Sequence, residues 1–168
     1  MSRFAFRLAI AALAASLSAA AAAGSAEVSF SDPRKFTDIG PYGDQRQATA
    51  NCDEIAAHLK KLAETRLPAD ETLQIEVLDV DLAGRLQPWR HHEFDVRVMH
   101  PVTWPSIRLK YRLTRNGEAL ASGQEVVSDM DYLERINGYP SSDSLRYEKR
   151  MLDDWFTHRI VEHQRQPR

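Results

Sequence analysis

The stretch IRLKYRLTRNGEALASGQEVV, residues 107–127, decides the fold. Ile107, Leu109, Tyr111 and Leu113 alternate with Arg108, Lys110 and Arg112. A period of two puts the first set on one face of a strand and the second set on the other. Asn116-Gly117 suits the tight turn of a hairpin, and residues 118–127 form the return strand. A hairpin with one apolar face needs another layer to cover that face.

Residues 93–99, EFDVRVM, read as a strand with Phe94, Val96 and Val98 on one side. Between them and the hairpin, HPVTWP must be extended or turning. Residues 72–84, TLQIEVLDVDLAG, are a longer strand. Leu73, Ile75 and Val77 alternate with polar residues, and then Leu78, Val80 and Leu82 take over the apolar role. This slip of one residue marks a bulge or a strand end buried on both faces. Asp79 and Asp81 fall inside it, on one face. Residues 85–92, RLQPWRHH, read as a loop, and residues 27–30 as a short first strand.

Two helices complete the pattern. Asp44 caps the first, with Gln47 as its capping-box partner, and the helix runs to Leu67 before Pro68. Ala48, Cys52, Ile55, Leu59 and Leu62 form its apolar stripe. Cys52 is the only cysteine, so it forms no intrachain disulfide and reads as a small buried hydrophobe. His58, Lys60 and Lys61 flank the stripe and are expected in solvent. The span 142–144 caps the second helix, residues 145–163. Leu145, Leu152, Phe156 and Ile160 form its stripe, widened by Met151 and Trp155. Glu148 falls on that stripe. A desolvated carboxylate needs a donor, so Glu148 is expected to meet Arg97, Arg135 or backbone amides. Lys149 is placed to reach Asp153.

The order β-α-β-β-β-β-α predicts an α+β fold. The expected object is a mostly antiparallel sheet of about five strands, with two long helices packed on one face. Arg108, Lys110 and Arg112 then form a positive stripe on the other face. It is placed to pair with Gln124, Glu125 or Glu76 across strands, or to serve with Trp89 as a contact surface. Trp89 and Trp104 sit beside prolines, where they plug the core or line a shallow pocket.

The start of the chain has Arg3 and Arg7, an apolar run over residues 8–23, and small residues after it. That is the layout of a secretory leader. Cleavage fits after Ala23 or after Ala26, and residues 1–26 are taken as the leader, with 27–168 as one α+β domain. The run is too short and too Ala-rich to span a bilayer. The leader carries two Arg and no acid, so the mature chain is more acidic than the formal −2 of the whole. Nucleic acid is thus no expected partner. An exported, periplasmic or extracellular protein follows.

The chain lacks G-x-S-x-G, H-E-x-x-H, C-x-x-C, G-x-G-x-x-G and a phosphate loop. DVDLAG resembles the start of a calcium loop, but its twelfth position is Arg90 where a carboxylate is required. His91 and His92 point opposite ways on a strand and chelate poorly as a pair. No metal and no cofactor is expected.

FTDIG, LDVDLAG, PWR, DVRVM, TWP, LKYRL, VVSDMDYL and LRYEKRMLDDWF occur in that order between Phe36 and Phe156. As an ordered set they resemble a bacterial family of exported single-domain proteins, domain of unknown function family 3016. The resemblance implies no activity, cofactor or catalytic residue; Asp131 departs from the Asn expected there. Together these readings predict a non-enzymatic, envelope-associated binding or accessory domain, whose partner is an envelope protein or glycan. The alternative is a carboxylate- or metal-dependent hydrolase of the periplasm. It requires Asp79, Asp81, Asp129 and Glu148 to converge beside an open pocket.

Overall fold

The computed structural model describes residues 23–87 and 96–162. In chain order the elements are β1 (Ser25–Phe30), α1 (Gln45–Arg66), β2 (Glu71–Asp81), β3 (Arg85–Gln87), β4 (Val96–Val98), β5 (Ser106–Arg115), β6 (Glu118–Ser128) and α2 (Arg146–Trp155). Four strands make one sheet in the order β1-β2-β5-β6. β2–β5 and β5–β6 are antiparallel, and β1–β2 is parallel. The fold is α+β with a mostly antiparallel sheet.

The hairpin forms where the alternation placed it. Asn116 and Gly117 both take positive φ, 50° and 86°, the geometry that matches the twist of the flanking strands. The phase slip in β2 is a bulge. Val77 pairs with Leu109 and Asp79 with Arg108, leaving Leu78 as the extra residue.

The single sheet of about five strands is corrected to four strands plus a separate two-stranded ribbon. Arg85–Gln87, read as loop, is strand β3 and pairs with β4. Gly84 explains the departure. It sits at φ +77°, and a Cβ there would lie 2.6 Å from the Val98 carbonyl oxygen. The chain turns sharply there and leaves the main sheet in a conformation that favours glycine. Phe94, Trp89 and the His91-His92 pair lie outside the described residues.

Asp44 caps α1 by accepting from the Arg46 and Gln47 amides at 3.1 and 3.0 Å. The Gln47 side chain does not return to the cap; it donates to Asn51. Within the predicted 142–144 cap, Asp143 does the work, accepting the Leu145 N–H at 3.0 Å. The second helix is not uniform. After Trp155 it widens into a π-helical segment, Phe156–Val161. Thr157 Oγ1 and Arg66 both donate to the Asp153 carbonyl at this point, and such side-chain donors disturb the backbone ladder.

Ile55 and Leu59 of α1, Leu152 of α2, and Phe156 and Ile160 beyond it are fully buried with Leu73, Val77, Leu109 and Leu113 of the sheet. They form one cluster, each side chain contributing on the order of 2 kcal/mol. Both helices therefore cover one face. Trp104 plugs nothing and remains 36% exposed.

Candidate functional site

At the C-terminal end of β2, the loop at 36–40 lies alongside the strand. The Asp38 N–H donates to the Val80 carbonyl at 2.8 Å, and the Leu82 N–H to the Asp38 carbonyl at 3.1 Å. This fixes the Asp38 side chain, which accepts both arms of the Arg97 guanidinium at 2.9 and 3.0 Å. Arg97 also donates to the Ala83 carbonyl at 3.2 Å. The Ala83 N–H in turn donates to Glu148 Oε1 at 2.7 Å. One polar chain thus joins loop, ribbon, β2 and α2.

Glu148 is buried, as its place on the apolar stripe required. Its donor is a backbone amide; Arg97 is taken by Asp38, and Arg135 by Asp129 and Asp154. Glu148 Oε2 has no hydrogen-bond partner among the described residues. Burial pushes this carboxyl above its usual range, against the pull of the Ala83 amide and the Arg97 charge. The shift is toward the neutral form.

The other three candidate acids are tied elsewhere. Asp79 accepts from the Thr37 amide and hydroxyl at 2.8 and 2.9 Å and pairs with Arg108 at 3.2 Å. Asp81 pairs with Arg85 at 2.8 Å. Asp129 accepts the Asp131 N–H at 3.2 Å and faces Arg135 at 3.5 Å. Register with Arg108 and Ser106 places Asp79 and Asp81 on the outer sheet face, whereas Glu148 and Asp129 lie on the helix side. The sheet separates the two pairs, so the convergence that a carboxylate enzyme requires does not occur. Among the described residues no group of three or more His, Cys, Asp and Glu side chains is arranged to hold a metal ion.

A second network joins the helices, and the sequence reading missed it. His58 is not in solvent; its side chain is 10% exposed and its Nε2 lies 2.9 Å from Asp153 Oδ1. The Tyr139 hydroxyl donates to Asp153 Oδ2 at 2.7 Å. Lys149 therefore does not reach Asp153 but bonds Glu54 and Asp143. Burial alone would raise Asp153, yet the hydrogen bonds from His58 and Tyr139 outweigh it and hold the carboxyl below its usual range. Tyr139 moves up, through burial and then through Asp153. Burial likewise pushes the Cys52 thiol up to about 11, so it carries little thiolate.

The outer face of the sheet is open. A groove of about 640 Å³ runs across all four strands, lined by Glu27, Ser29, Gln74, Glu76, Lys110 and Arg112 among others. The residues stand in cross-strand rows. Ser29, Glu76, Lys110 and Gln124 form one row, and Glu27, Gln74, Arg112 and Ser122 form the next. Lys110 pairs with Glu76 at 3.5 Å. Glu125 is not part of this face; it turns to the helix side and accepts from Trp155 Nε1 at 3.2 Å, beside Arg159. The predicted stripe Arg108, Lys110 and Arg112 is thus exposed, while Trp89 lies outside the described residues.

A sheet backed by two helices, with its acids holding loops and one polar face uncovered, is a small α+β domain. The chain belongs to the family described as protein of unknown function (DUF3016), whose family model matches residues 24–158. No curated protein and no solved structure matches the chain. Among the described residues no helix is long and apolar enough to cross a membrane.

Proposed function

We propose that the chain is an exported, non-enzymatic binding domain of the cell envelope and that the outer sheet face is its contact surface. One observation carries this reading. The groove across the four strands presents hydroxyl, amide and charged side chains to solvent, whereas the candidate catalytic acids are tied to amides or guanidinium groups on opposite sides of the sheet.

Export rests on the leader-like start of the chain. Two contacts support cleavage after Ala23. β1 begins at Ser25, and the buried Gly24 donates its N–H to the Leu67 carbonyl at 3.2 Å. Cleavage after Ala26 would remove Ser25 and Ala26, which pair with Thr72 and Leu73. The mass of the protein recovered from the envelope fraction is expected to begin at Gly24.

The contact surface is tested with the double variant Lys110→Glu, Arg112→Glu, offered to an immobilised envelope extract. Both side chains are exposed, so the thermal midpoint should stay within about 2 °C of the parent. Retention on the extract should fall at least fivefold. Retention equal to that of the parent would reject the outer face as the contact surface.

A further inference from the structure

Of the two rows that line the groove, one is internally neutralised and the other is not. In the row Ser29–Glu76–Lys110–Gln124 the two charges face each other at 3.5 Å. In the row Glu27–Gln74–Arg112–Ser122 they do not meet. Gln74 stands between them and donates its Nε2 to Glu27 Oε2 at 3.0 Å. Among the described residues the Arg112 side chain makes no hydrogen bond or ion pair. The row therefore holds an anion on β1 and a cation on β5, on strands two spacings, or about 10 Å, apart.

We infer that this row is a binding site for a short zwitterionic peptide, its free amino group on Glu27 and its free carboxylate on Arg112. The inference rests on the outer-face reading and names the ligand of that face. An extended tripeptide spans at most about 10 Å between its ends, comparable to the backbone separation of the two residues. The guanidinium accepts a carboxylate in a two-pronged geometry that a lysine cannot offer. Gln74 keeps its Oε1 free for a peptide N–H while its Nε2 remains on Glu27. Ser29, Ser122 and Gln124 supply further donors and acceptors along the groove walls. The volume of about 640 Å³ lies within the range of small-ligand sites. A neutral glycan offers hydroxyls but no charge to either residue, and an anionic glycan brings no cation to Glu27.

The test uses the full chain and trialanine as probe, with N-acetyl-trialanine, trialanine amide and the doubly capped form as controls, followed by NMR shifts or calorimetry. Free trialanine should bind, and capping either end should weaken it about fivefold, as for a lost exposed ion pair. Glu27→Gln should abolish the difference made by the amino cap and Arg112→Gln the difference made by the carboxyl cap. Both residues are exposed, so both variants keep the fold, with unchanged thermal midpoints as the control. Equal binding of free and doubly capped peptide would overturn the inference. So would absence of trialanine binding while envelope retention still depends on Lys110 and Arg112; the contact surface would then stand and a glycan or folded protein would be its ligand. Loss of neither retention nor peptide binding in the charge variants would reject both readings.

Discussion

Among the described residues two glutamates are fully enclosed, one at each end of the sheet, and they are held by different partners. Glu71 opens β2 and meets the Arg115 guanidinium at 2.6 and 3.1 Å. Glu148, at the far end, receives the Ala83 amide and no guanidinium. In the first, a guanidinium offsets part of the lost hydration. In the second, burial outweighs the one amide and the Arg97 charge and moves the carboxyl above its usual range. Burial of a charged residue type therefore does not by itself mark a charge, still less a catalyst. The partner decides.

The contrast can be broken in several ways. Glu71→Ala removes charge-assisted hydrogen bonds and leaves a gap at a site with no solvent access; a loss of about 3 kcal/mol in denaturant unfolding is expected. Glu148→Ala orphans the Ala83 N–H and opens a cavity beside Leu152, with an expected loss of about 2.5 kcal/mol. A loss below about 1 kcal/mol in either case would show that the site collapses or admits water freely.

The network between the helices sharpens the comparison with a third kind of acid. Asp153→Asn gives up part of the bonding to His58 and Tyr139, and should cost about 1.5 kcal/mol at pH 7. Asp153 and Asp143 are both held below the ordinary carboxyl value of 3.8. Their contribution is present above 3.8 and is lost as pH falls through the depressed folded values. The parent should thus show an acid shoulder in its stability profile below pH 4 that Asp153→Asn flattens. An unchanged shoulder would place the acid sensitivity elsewhere.

Much of this architecture is legible in the residues. The alternation at Ile107, Leu109, Tyr111 and Leu113, the Asn116-Gly117 turn and the helix stripes locate the sheet and its cover. Even the slip at Leu78 can be read as a bulge. The parallel pairing of β1 with β2 went unread, although a strand, a crossover helix and a second strand in succession favour it. Of the ribbon, β4 falls within the stretch read as a strand, but β3 was hidden because three residues carry no period. Glu148 declares its need for a donor by standing on an apolar stripe, but its donor does not: a backbone amide at Ala83, 65 residues away, has no side-chain signature. His58 and Asp153 are 95 residues apart on different helices, and only the packing of α1 on α2 brings them together. The cross-strand row on the outer face depends on register, which the bulges shift.

The smallest predicted effect is the most direct. Glu148→Gln resembles the neutral acid in shape and keeps an oxygen for the Ala83 amide. A carboxyl raised above 4.5 stabilises the fold below that value and loses its contribution as pH rises through the folded pKa. Denaturant unfolding of parent and Glu148→Gln from pH 4.5 to pH 8 measures this loss. A neutral Glu148 predicts that the variant stays within about 1 kcal/mol of the parent at pH 4.5 and gains on it steadily toward pH 8. A variant that falls behind the parent by about 2 kcal/mol or more as the pH rises would show a buried, stabilising carboxylate, and the contrast between the two ends of the sheet would be gone.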